Sequence, residues 1–275
     1  MQPPRDKGLP MQTAESVLDA QRFEDPDIAH LVIEDDEPVD NIFTEKQERL
    51  LTTPLYASWE PVGKDGSTRR SFEVFANVGL FHTPREQAIV PDVMLSLDVK
   101  TRNDLSVRKN RTYFVWEFGK VPDVVVEIVS NDEGGELDTK MRRYRQMRIP
   151  YYVVYDPDHE LSPNTLLSYE LRGDLYIPLR RHYFEAVGLG VVEWTGVHEN
   201  LETTWLRWCT KDGQLVPTSE ERAKVEEQRA NDAAKRMKAA DKEKKAADKR
   251  AEDADKRAER YAAKLRAAGI DPEAA

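Results

Sequence analysis

Two short segments of this chain nearly repeat one another, and each enters an apolar strand through Pro-Asp. Residues 89–96 read Ile-Val-Pro-Asp-Val-Met-Leu-Ser, and residues 120–130 read Lys-Val-Pro-Asp-Val-Val-Val-Glu-Ile-Val-Ser. The second run is close to continuously apolar, which predicts a central strand covered on both faces. One acid, Glu127, interrupts it, with Val124, Val125, Val126, Ile128 and Val129 around it. Burying a carboxylate there costs several kcal/mol unless something pairs with it. Either Glu127 reaches solvent or a structural arginine, or the fold brings it a dedicated partner.

The next element offers such a partner. After a polar turn at 131–135, Leu137, Met141 and Tyr144 recur at helical spacing, and the helix must end before Pro150. Lys140 shares a face with Leu137 and Tyr144, the side that lies against a sheet. Asp92, read alone, is a turn residue at the start of its strand, and Lys140, read alone, is a solvated lysine. Together with Glu127 they make a chemical group. Carboxylates on neighbouring strands, Asp92 and Glu127, can share a Mg²⁺ ion, with Mn²⁺ as a substitute, because Mg²⁺ takes oxygen ligands and keeps several waters. The metal activates water and neutralises charge on a phosphate, and a lysine orients the attack. Asp123 repeats the Pro-Asp signature but should lie about 13 Å along the strand from Glu127, so it is left out of the site. Glu48, on the first helix, is a further candidate ligand.

Around this centre the pattern predicts an α/β chain. A helix is expected from Thr44 to about Thr53, with Thr44 as N-cap, Gln47 as capping-box partner and Pro54 as its end. Strands are expected at Ser71–Val78, Ile89–Leu97, Tyr113–Phe118, Val124–Ser130 and Tyr151–Tyr155. An antiparallel meander over Leu166–Leu171, Leu175–Leu179 and Gly190–Trp194 should follow. Trp205 and Trp208 read as a small core or interface cap. Residues 1–40 read as a flexible arm, 41–216 as the main domain and 217–275 as a helical tail.

That tail opens at Thr218, with Glu221 as capping-box partner, and closes at Gly269 and Pro272. A heptad frame runs through 223, 230, 237, 244, 251, 258 and 265 and through 226, 233, 240, 247, 254, 261 and 268, apolar except at Glu226 and Lys244. Most of these positions are alanine, which buries little area. Pairs such as Asp232–Arg236, Asp241–Lys245 and Glu252–Lys256 support a single helix by about 0.2–0.5 kcal/mol each. A dimerising coiled coil and an isolated charged helix both stay open. Ala-Asp-Lys recurs at 240–242, 247–249 and 254–256, in step with the heptad.

Charge excludes some functions. The net charge is −10, yet Ser219–Ala268 carries 16 Lys and Arg against 12 Asp and Glu, so the body is markedly acidic. That speaks against a general nucleic-acid coat protein. One cysteine, Cys209, allows no internal disulfide, and the five histidines lack zinc-site spacing. No phosphate-binding glycine motif is present. With no signal-like N-terminus and no long apolar run, a soluble, cytoplasmic protein is expected.

Four segments together carry a family resemblance: 91–97, 122–130, Lys140-x-x-x-Tyr144 and Ile149–Pro157. The chain resembles, over roughly residues 40–200, the Uma-type restriction endonuclease family of the PD-(D/E)XK nuclease superfamily. The tail, ending Leu-Arg-Ala-Ala-Gly-Ile-Asp-Pro, is similar to tails in one branch of it. The resemblance implies a restriction-endonuclease-like mixed sheet flanked by helices, with Asp92 as metal-binding acid and Glu127 as the acid of the (D/E)XK motif. Val129 stands where that motif has lysine; Lys140 matches a position to which the lysine has migrated, and Glu136 fits the same pattern. The implied function is Mg²⁺-dependent hydrolysis of DNA by Asp92, Glu127 and Lys140, and the tail would pair two copies as a homodimer or dock a partner. The rival reading is a catalytically silent nuclease fold that binds or assembles through its helical tail.

Overall fold

The computed structural model describes residues 41–63, 65–130 and 135–269. The arm expected over 1–40, most of the turn at 131–135 and Pro272 lie outside them. The chain divides into two compact units. One runs to Thr52 and over Glu60–Leu215; the other comprises Thr53–Trp59 and Val216 onward.

Helix α1 (Ile42–Ser58) begins ahead of the expected Thr44. Asn41 is the reason, since its Oδ1 accepts the Thr44 N–H at 2.9 Å. Nor does Pro54 end the helix, for Trp59 N–H still bonds the Leu55 carbonyl at 3.0 Å. A proline forfeits its own N–H bond and leaves those beyond it intact.

In the first unit, β1 (Phe72–Ala76) and β2 (Leu80–Phe81) precede β3 (Val93–Leu97), β4 (Tyr113–Phe114) and β5 (Val124–Ile128). The chain continues through β6 (Tyr151–Tyr155), β7 (Leu166–Arg172) and β8 (Leu175–Pro178). Six of these form one mixed sheet in the order β1-β3-β5-β6-β7-β8. Only β5 and β6 run parallel in it. A parallel neighbour requires a crossover, and the helical segment over 136–146 is part of it.

The expected aromatic strand at Tyr113–Phe118 is strand only over Tyr113–Phe114 and helix beyond. Residues Val115–Phe118 form one turn, α2, closed by Gly119 at φ 75°. Its aromatics stack rather than alternate: Tyr113 and Phe118 ring centroids lie 4.2 Å apart, and Phe114 and Trp116 lie 4.7 Å apart.

The crossover starts at Gly135, whose φ of 69° suits glycine. A π-turn, Glu136–Lys140, leads into α3 (Met141–Gln146). Its closing bond runs from Lys140 N–H to the Gly135 carbonyl at 2.9 Å. The helical segment ends before Pro150, as expected. Met94, Val125, Val129, Tyr152 and Val154 from one sheet face pack with Tyr144 and Met147 into a buried cluster. On the opposite face, Tyr151 meets Phe184 and Tyr155 meets Phe43.

The predicted meander breaks after β8. Gly190–Trp194 belongs instead to a three-stranded sheet of β9 (Tyr183–Phe184), β10 (Leu189–His198) and β11 (Leu201–Cys209). A Cβ on Gly190 would stand 2.5 Å from the His182 carbonyl oxygen, so glycine permits the close approach of β9. The β10–β11 hairpin turns on Glu199 and Asn200, both at positive φ, 46° and 66°. Such a turn is usually written Asn-Gly, and that hides this hairpin in the sequence. Trp205 and Trp208 are buried in β11. Gln47 of α1 closes the β11 edge, since its amide donates to the Leu206 carbonyl and accepts the Leu206 N–H, both at 2.8 Å.

In the second unit, Thr218 and Glu221 form the expected capping box for α4 (Ser219–Ala267), and Gly269 follows it at φ 74°. The Lys245–Asp241 and Lys256–Glu252 pairs form, at 2.8 and 2.5 Å. Asp232 lies 3.9 Å from Lys235. Among the described residues no helix is long and apolar enough to cross a membrane.

Candidate active site

The two Pro-Asp copies lie side by side, in opposite directions. Antiparallel pairing of Val93 with Val126 and of Leu95 with Val124 puts Asp92 at the Glu127 end of β5 and Asp123 at the Leu97 end of β3. Each aspartate caps the other strand. Asp92 Oδ2 accepts the Ile128 N–H at 2.5 Å, and Asp123 Oδ2 accepts the Leu97 N–H at 2.7 Å. Their surroundings then diverge. Asp123 also takes the Lys120 ammonium at 2.5 Å, and that ammonium donates to the Leu97 carbonyl at 3.0 Å. This is a structural clamp. Asp123→Ala is expected to lower stability by about 1–3 kcal/mol, measured by urea denaturation.

Glu127 is fully buried. Strand alternation sets it on the face of Val125 and Val129, the face that packs against Tyr144 and Met147. Lys140 donates to its Oε2 at 2.8 Å, and the Tyr144 hydroxyl donates to Oε1. Lys140 also donates to Glu136 Oε1 at 3.0 Å. The Tyr152 hydroxyl bonds the Glu136 carbonyl at 2.8 Å and steadies the π-turn. The other carboxylate oxygen of Glu136, Oε2, is buried with no hydrogen-bond partner among the described residues.

Burial, and then the negative charge of Asp92, push Glu127 up to about 8 against the opposing pull of Lys140 and Tyr144. Burial works to discharge Lys140, but the charges of Glu127, Glu136 and Asp92 outweigh it and hold the ammonium above its ordinary value. Burial and the neighbouring Glu127 raise the Tyr144 phenol well above its usual range, so it serves as a donor.

These residues suit a hard divalent cation. The donors are all oxygen, Asp92 and Glu127 crowd like charges together, and Glu136 leaves a buried oxygen unmatched. Among the described residues no cluster of three or more His, Cys, Asp or Glu is arranged to hold a metal. Asp92 and Glu127 would thus be two protein ligands, with water supplying the rest, a common arrangement for Mg²⁺. Glu48 stands nearby: Asn77, at φ 52°, donates its amide to both Glu48 oxygens at 2.9 and 3.0 Å. The Asn77 N–H bonds the Asp92 carbonyl at 3.1 Å.

The structure therefore brings together Asp92, Glu127 and Lys140 and sets Asp123 apart. The roles of Tyr144 as donor to Glu127 and of Asn77 as the link between Glu48 and Asp92 were missed in the sequence. The spacing of Lys140 and Tyr144, one helical turn apart, carried a signal for the first. For Asn77 the only hint was the tolerance of asparagine for the left-handed region.

A mixed sheet with one parallel crossover, bearing paired acids and a lysine at its strand ends, is an α/β nuclease-like fold. Residues 32–182 match the Uma2 family model, described as "Putative restriction endonuclease", and the chain belongs to that family. No curated protein and no solved structure matches it.

Proposed function

We propose that the protein is a Mg²⁺-dependent endonuclease that hydrolyses DNA phosphodiester bonds, with Asp92 and Glu127 as metal ligands and Lys140 as the group assisting water. The observation that carries this reading is the position of Lys140. It comes from a different element than the (D/E)XK lysine would, yet its ammonium lies 2.8 Å from the buried Glu127 carboxylate. A divalent cation held by Asp92 and Glu127 would lower the pKa of a bound water and neutralise charge developing on the phosphate; Mn²⁺ could replace Mg²⁺. Lys140, kept charged by three acids, would donate hydrogen bonds from its ammonium to the attacking water or to the phosphate oxygens. Tyr144 fixes the Glu127 carboxylate by its hydroxyl, and the hydrophobic cluster behind it excludes water from that side.

One observation favours the second reading, a silent fold used for binding or assembly. Glu127 is already satisfied by Lys140 and Tyr144 within the chain. Supercoiled plasmid relaxation decides between the two. Nicking in Mg²⁺ or Mn²⁺, abolished by a chelator and reduced by about 10²–10³-fold in Lys140→Ala, is the expected result. Equal nicking by Lys140→Ala and wild type rejects the site. Absence of cleavage of any nucleic acid with either metal favours the binding module.

A further inference from the structure

Charge is segregated along α4 in a way that a lone helix does not require. On the heptad frame of 223 and 226, Met237 and Tyr261 lie on the apolar seam and are 75% and 68% exposed. One flank of the seam carries Glu227, Asp241, Asp248 and Asp255, with Ala234 and Ala262 at its remaining positions and no cation. The other flank carries Arg222, Arg229, Arg236, Arg250, Arg257 and Lys264, with Glu243 as its one acid. Helix-internal pairing acts between residues three and four apart. Asp255 gains nothing from it, because the residues at those spacings are Ala251, Glu252, Ala258 and Glu259.

We infer that α4 pairs with α4 of a second copy as a parallel, in-register coiled coil. In that arrangement a residue on the basic flank faces the acidic-flank residue five positions on in the other helix. Arg222, Arg236 and Arg250 then meet Glu227, Asp241 and Asp255 of the second copy; Glu243 against Asp248 is the one mismatch. An antiparallel pair would set each flank against itself, base on base and acid on acid. Charge complementarity thus selects both the partner and its direction. The alanine-rich seam and Lys244 within it keep the association weak and concentration-dependent. The inference is independent of catalysis.

Sedimentation velocity on the full chain over about 1–500 µM tests it. Wild type is expected to pass from monomer to dimer across this range. Asp255→Lys replaces a like charge beside Glu252 and Glu259 with an opposite one, so helicity by circular dichroism should hold or rise. It also opposes Arg250 of the second copy, so the dissociation constant should rise about tenfold. Adding Arg250→Glu in the same chain should restore dimerisation. Direction is read with Ala230→Cys, a seam position near the N-terminal end of α4. Oxidation should link two full chains through it, whereas wild type, whose Cys209 is buried, should not link. A monomer at the highest concentration, an unchanged dissociation constant in Asp255→Lys, or failure of the second change to restore it overturns the proposal. No link at Ala230→Cys rejects the parallel direction.

Discussion

Glu127→Gln is expected to reduce DNA cleavage by about a thousandfold or more while leaving the protein folded. The amide keeps the shape of the side chain and can still accept the Tyr144 hydroxyl. It cannot ligate a cation as a carboxylate does, and it leaves Lys140 with only Glu136 and the more distant Asp92 as counter-charges. Stability should carry a pH signature of the same group. The Glu127 carboxyl titrates near 4.5 when unfolded and is pushed up to about 8 when folded, so between those values the folded state binds more protons. Wild-type stability conferred by this group is therefore present in acid and lost as pH rises through that window. The variant lacks the titration, so without divalent metal its stability relative to wild type should improve from about pH 4.5 to pH 8. Urea titrations across that range with chelator read the slope directly. A parallel pH dependence in the two proteins would show that Glu127 is not protonated in the fold, and undiminished cleavage would remove it from the site.

The second large effect lies away from the chemistry. Gln47→Ala is expected to cost about 2–4 kcal/mol of stability, because it orphans both the N–H and the carbonyl of Leu206. Gln47 is completely buried, and its amide pairs with the open edge of β11 as a strand would. Its neighbour Lys46 makes a partly exposed pair with Glu199 at 2.7 Å, so Lys46→Ala should cost no more than about 1 kcal/mol. Chemical denaturation of the two variants separates these values. A loss below about 0.5 kcal/mol for Gln47→Ala would mean that water satisfies the edge instead.

Much of the sheet was legible in the chain, for reasons that are local. Continuous apolar runs announced β5 and β6, and helical spacing with a downstream proline announced the segment carrying Lys140. The capping box at Thr218 marked the start of α4 correctly. The errors fall where distant contacts override local signals. Gln47 reads as a capping-box partner but is spent on β11, 159 residues away. The aromatics of 113–118 read as strand but stack on one another across a helical turn. The β10–β11 hairpin was invisible because Glu-Asn occupies a turn that normally favours glycine.

The candidate site divides along the same line. Local pattern alone required that Glu127 be compensated, because no apolar strand hides a carboxylate without a partner. It also put Lys140 on the inward face of the following helix. Local pattern also removed Asp123, four residues before Glu127 on its own strand, but it could not fix where Asp92 falls relative to Glu127. Only the antiparallel pairing of β3 with β5 did that: it carried Asp92 to the Glu127 end and left Asp123 at the far end, where Lys120 holds it. Register is a property of two strands together, so the segment that carries Asp92 does not contain the information that sets it beside Glu127.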